Sequence, residues 1–124
     1  MNVQELTVSL QRDLEQLKKR FDEEEPPENM RDKSFFLTVK EQTTPIFEQL
    51  EDWESKALAI VKKRKVTIHP QQVTSTKENM DLLIMHSYYK DLRRRRYMEY
   101  YKSIKYIFEQ LLAEMSSTSW TEEQ

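Results

Sequence analysis

The stretch VQELTVSLQRDLEQLKKRF, residues 3–21, decides the fold. Val3, Leu6, Leu10, Leu14, Leu17 and Phe21 follow one another in steps of 3, 4, 4, 3 and 4, with mostly polar residues between them. At 3.6 residues per turn those steps keep six apolar side chains on one side of a coil, so the segment reads as an amphipathic α-helix. The acidic run Asp22 to Glu25 and then Pro26-Pro27 end it, because proline disfavours helical geometry in the residue before it.

The same spacing recurs outward along the chain. A second helical region starts near Asp32 or Ser34 with Phe35, Phe36 and Val39, and resumes at Ile46, Leu50, Trp53, Ala57, Ile60 and Val61 before closing in Lys62 to Lys65. Between the two parts, Thr44-Pro45 has the form of an N-cap and a first-turn proline, which predicts a break or kink. His69-Pro70 opens a third helix, with Val73, Met80, Leu83, Ile84 and Ser87 on its inner face. A fourth carries Tyr97, Tyr100, Tyr101, Ile104, Ile107, Phe108, Leu111 and Met115. One unbroken helix from Pro70 to Met115 would be about 69 Å long, too long for a compact chain of this size, so a turn is expected near Arg93 to Arg96.

Helices of this length with short connections pack as antiparallel neighbours, which predicts an all-α, four-helix up-and-down bundle with a broken or kinked second helix. The second region is long for such a bundle, so its first part is expected to lap across one end. The expected division is a single domain over residues 1–115 and a polar, frayed tail over 116–124.

The 124 residues suffice for one domain with a real core. There is no cysteine, which excludes disulfides, thiolate metal sites and cysteine nucleophiles. There is no glycine either, which removes the phosphate-cradling loops and weighs against hairpin-rich β folds. No apolar run approaches the ~20 residues of a membrane span. The first residues, Met1 to Glu5, lack the pattern of a signal peptide, so a cytoplasmic location is expected.

Several stretches resemble the YppE-like proteins of Bacillus and its relatives, a family of unknown function. They are Ser34-Phe35-Phe36-Leu37-Thr38-Val39-Lys40; Trp53 to Leu58 with Lys62-Lys63-Arg64 and His69; and Asn79 to Leu83 with Ser87-Tyr88, Arg96 and Tyr106. Order and spacing agree over residues 33 to 115, while the first helix agrees only in character. The resemblance implies a four-helix up-and-down bundle and carries over no catalytic residue, cofactor or partner. The chain departs from the family pattern in carrying its proline later, at Pro45.

Nothing in the sequence assembles a catalytic centre. A dimetal carboxylate site in a bundle needs Glu-x-x-His on two helices; the residues three before the two histidines, His69 and His86, are Val66 and Leu83. His86 and Ser87 are helix neighbours pointing about 100° apart and cannot pair. No catalytic residue, metal ligand or cofactor is therefore expected, and the chain reads as a non-enzyme.

Charge and a surplus of apolar residues are more informative. Residues 1–55 hold 7 basic and 14 acidic residues, net −7, and residues 56–124 hold 13 and 8, net +5. Lys62, Lys63, Arg64 and Lys65, and Arg93, Arg94, Arg95 and Arg96, are candidate anion-binding runs. Equally, cations at helix C-termini oppose the negative end of the dipole, and the Arg93 to Arg96 turn falls at the same end as Asp22 to Glu25, where the two can neutralise each other. In an up-down bundle the two basic runs lie at opposite ends, about 30 Å apart. That separation and the net charge of −2 count against nucleic acid as the partner.

The third helix carries a second apolar stripe, Leu82, Met85, Tyr89 and Leu92, roughly opposite Val73. Either Phe35 to Val39 cover it, or it is exposed for a protein partner or a second copy of the chain. The functional expectation is thus a protein-interaction module, pairing with another protein or with a second copy of itself, with binding of an anionic partner through a basic end as the alternative.

Overall fold

A computed structural model describes residues 1–116 and contains α1 (Val3–Glu23), α2 (Lys33–Lys62), α3 (Pro70–Tyr89) and α4 (Arg94–Ser116), with no strand among the described residues. The expected bundle is present. Ser116 belongs to α4, and the rest of the expected tail, 117–124, lies outside the described residues.

α1 starts at a reciprocal cap. The Asn2 side chain accepts from the Glu5 N–H at 2.8 Å, and the Glu5 carboxylate accepts from the Asn2 N–H at 3.0 Å. All six apolar positions read from its stripe are buried. α1 packs on all three other helices, whereas the backbones of α2 and α4 do not meet. The long diagonal between α2 and α4 is filled by side chains: Trp53 meets Phe108 edge-on, with ring centroids 5.3 Å apart.

α2 carries the proline at which a break or kink is expected. It runs 30 residues without interruption through Pro45, about 45 Å at the usual rise. Pro45 cannot donate to the carbonyl of Glu41, but both residues face solvent, so no buried acceptor is stranded. Thr44 is not an N-cap; its hydroxyl donates to the Lys40 carbonyl at 2.6 Å inside the helix. Val39 and Thr43 before the proline, and Leu50 and Trp53 after it, are all buried, so both parts of the helix pack on the core. The helix start is capped by Asp32, which accepts from the Phe35 N–H at 3.2 Å.

The turn between α3 and α4 spans Lys90 to Arg93, earlier than the expected Arg93 to Arg96. Lys90 adopts the left-handed conformation (φ 52°, ψ 33°) and donates its N–H to the His86 carbonyl. Glycine usually fills such a C-terminal position, because a β-carbon there is crowded against the backbone. A chain without glycine terminates the helix with lysine, and Arg64 after α2 adopts the same region (φ 57°).

At the other end of the bundle the connection from α2 to α3 closes the core. Val66 and Ile68 point inward and are buried. Between them, Thr67 donates both its N–H and its hydroxyl to one Glu114 oxygen, at 2.7 and 2.8 Å. Among the described residues no helix is long and apolar enough to cross a membrane.

Candidate interaction surface and cleft

Two hydroxyl groups organise the buried polar atoms. Near the start of α1, the Trp53 indole N–H donates to the Thr7 hydroxyl at 2.9 Å, and Thr7 donates to the Val3 carbonyl at 2.6 Å. Near the start of α4, Ser87 donates to the Leu83 carbonyl at 2.7 Å. Its single proton is thereby used, so the Tyr97 hydroxyl, 2.6 Å away, is the donor to Ser87. Tyr97 stacks on Phe21 at 3.8 Å, and burial pushes its hydroxyl far above the ordinary tyrosine range, with the Ser87 hydrogen bond opposing that rise.

The predicted stripe on α3 is only partly covered. Leu82 is 45% exposed, and Met85 and Tyr89 are half-buried against the core; Leu92, expected on the same stripe, lies beyond the end of α3 in the turn, also half-buried. Phe35 supplies part of the cover, meeting Tyr89 edge-on at 5.2 Å, and Val39 is buried. The cover does not extend further. Phe36 and Leu37 are 50% and 53% exposed. They lie about 100° and 200° round the helix from Phe35, so the first turns of α2 are apolar on several sides. An ordinary surface helix is apolar on one.

The arginine run sits differently from expectation. Because α3 ends at Tyr89, Arg93 does not close a helix, and Arg94, Arg95 and Arg96 form the first turn of α4, at the positive end of its dipole. The dipole therefore disfavours them. Two are paired: Arg94 with Asp22 at 3.1 Å and Arg96 with Glu99 at 3.0 Å. Burial is the largest single influence on the Asp22 carboxyl and raises it, but the hydrogen bonds and charges of Lys18 and Arg94 together outweigh it and hold the group below its ordinary range. Lys90 also crosses to this corner, donating to the Glu24 carbonyl at 2.9 Å. Self-neutralisation thus operates between α1 and α4, while Arg93 and Arg95 make no ion pair among the described residues. The same holds for Lys62, Lys63, Arg64 and Lys65, which end α2 at the opposite pole.

A cleft that sequence reasoning missed lies between α1 and α2, near the arginine end. Its volume is about 330 Å³, and its walls include Asp13, Leu17, Arg20, Gln42, Ile46 and Tyr88. The Arg20 guanidinium lies over the Tyr88 ring, 4.1 Å from its centroid, and Tyr88 donates its hydroxyl to Gln42 at 2.9 Å. Burial pushes the Tyr88 hydroxyl up, with Arg20 pulling the other way. Asp13 is also raised by burial. No sequence signal marks this cleft, because Arg20 and Asp13 sit among the polar residues that any amphipathic helix shows to water. Among the described residues no three or more metal-binding side chains gather.

Comparison with known proteins adds two findings. A family model described as a bacterial domain of unknown function, DUF1798, matches residues 7–115. The fold is similar to the crystal structure of protein yppE from Bacillus subtilis, with a TM-score of 0.80, 23% identity and 93% of each chain covered. No curated protein matches.

Proposed function

The chain belongs to the DUF1798 family, a bacterial domain of unknown function, and on that premise we propose that it acts by binding another protein and not by catalysis. The contact surface is the start of α2 with the adjoining outer stripe of α3. One observation carries the reading. Phe36 and Leu37 remain half-exposed on a helix whose inner face already fills the core, and Leu82 is a further exposed apolar residue on α3. Exposed aromatic and aliphatic anchors of this kind supply binding energy when a partner desolvates them.

The test is a charge placed where the partner would sit. Phe36→Lys with Leu37→Lys should change folding stability by only about 0.5 kcal/mol, because both positions face solvent. Sedimentation of the parent chain examines self-association first. Crosslinking in the native cell, parent against variant, then examines other partners. A complex seen with the parent and lost in the variant supports the reading. Identical behaviour of the two proteins in both measurements overturns it.

A second reading rests on the position of Arg94 to Arg96. Three arginines in the first turn of a helix gain nothing from its dipole, whereas an anion held there would gain from both. Binding of a short oligonucleotide that weakens steeply with salt, and is lost in Arg93→Ala with Arg95→Ala, would favour it.

A further inference from the structure

The Arg20–Asp13 cleft holds two opposite charges whose needs are unmet and which do not meet each other. They lie seven positions apart on α1, nearly two turns, so they share a face with about 10 Å between their α-carbons. Arg20 stacks on Tyr88, and its buried Nε has no hydrogen-bond partner among the described residues. Neither Glu23 nor Glu24, three and four positions on, pairs with it, although both line the same cleft. The contact with Tyr88 holds the guanidinium in place, and the Tyr88–Gln42 hydrogen bond holds the ring beneath it. A guanidinium so held is set for a carboxylate, which it binds through two parallel N–H groups. Asp13, at the other end, is half-buried, and no cation offsets the burial that raises it. An ammonium group would relieve that carboxylate. Between the two, Leu17 and Ile46 provide an apolar stretch of wall.

We propose that this cleft binds a small dipolar molecule, its carboxylate on Arg20, its ammonium on Asp13 and an apolar spacer against Leu17 and Ile46. A cavity of about 330 Å³ matches a dipeptide or an ω-amino acid. The site is separate from the apolar surface at the start of α2 and does not depend on it.

The probe is 6-aminohexanoate, compared with hexanoate, hexylammonium and glycine. The readout is the Arg20 Nε–H resonance and the neighbouring backbone amides in an NMR titration of the full chain. The dipolar probe should bind at least about tenfold more tightly than either single-charge analogue, and glycine, too short to span, should match neither. Asp13→Asn should erase the advantage over hexanoate, and Arg20→Met, which keeps the apolar stem over Tyr88, the advantage over hexylammonium. Circular dichroism establishes that both variants fold, and Asp13→Asn is near-isosteric should Arg20→Met be damaged. Equal affinity for all four probes, no shift at Arg20, or an advantage that survives Asp13→Asn would overturn the proposal.

Discussion

At one end of the bundle Trp53 passes its N–H to Thr7, and Thr7 passes its hydroxyl to the backbone; at the other, Tyr97 does the same through Ser87. Each relay satisfies the polar tip of a large buried aromatic with a helix hydroxyl that back-bonds one turn earlier. The surroundings differ. The Trp53 end is sealed by Phe108, Val66, Ile68 and Met115, all buried. The Tyr97 end is wrapped in charge: Asp22 with Arg94, Lys90 5.4 Å from the Phe21 ring, and Arg20 over Tyr88 beside an open cleft. At the first end the aromatic is enclosed by apolar side chains, and at the second it is bordered by charges that cross between helices.

Substitutions can break this comparison. Trp53→Ala should have the largest effect, about 3–5 kcal/mol in urea denaturation, because it empties the diagonal that α2 and α4 fill only with side chains. Thr7→Val strands the buried indole N–H and should cost about 1–3 kcal/mol. Ser87→Ala should cost a similar amount by stranding the Tyr97 hydroxyl. Should Ser87→Ala prove nearly neutral while Thr7→Val does not, the Tyr97 end admits solvent and the two relays are not equivalent.

Alkaline pH separates the ends without altering volume. Tyr97 is raised in the folded state, so above the ordinary tyrosine pKa the unfolded chain loses a proton that the folded chain keeps. The Tyr97 contribution is complete below about pH 10 and is lost above it by up to about 1.4 kcal/mol per pH unit. Tyr97→Phe should flatten that fall, measured by urea denaturation at successive pH values. Tyr88 and Tyr101, also raised by burial, should leave a smaller residual slope.

The smallest effect is a gain. Lys90→Gly removes the left-handed strain at the α3 terminus and should stabilise the chain by about 1 kcal/mol, seen as a higher Tm. It also removes the Lys90 contacts with Glu24 and Phe21, so a net loss would show that these outweigh the strain.

Much of this was legible in advance. The stripe from Val3 to Phe21 and the inner faces of α3 and α4 appear in the core as read, except that Tyr100 is only half-buried. Pro45 leaves α2 unbroken, because the carbonyl it orphans, that of Glu41, faces solvent, and that exposure depends on packing and not on the local chain. The α3–α4 turn was misplaced because no glycine marks it, and a lysine in left-handed geometry has no sequence signature. Three residues of the second stripe, Leu82, Met85 and Tyr89, do lie on α3, while Leu92 falls in the turn; their partial cover depends on where α2 lies alongside, as the Phe35–Tyr89 contact shows.

Four helices, their inward faces and their antiparallel order follow from the order of residues alone, because helical periodicity and chain connectivity are local properties. Tertiary structure alone decided which hydroxyl serves which aromatic, which carboxylate meets Arg94, and which cation remains unpaired. Those partners lie between 10 and 72 residues apart. A hydrogen bond is chosen by the distance and direction of atoms brought together by packing, and no spacing rule along the chain encodes that.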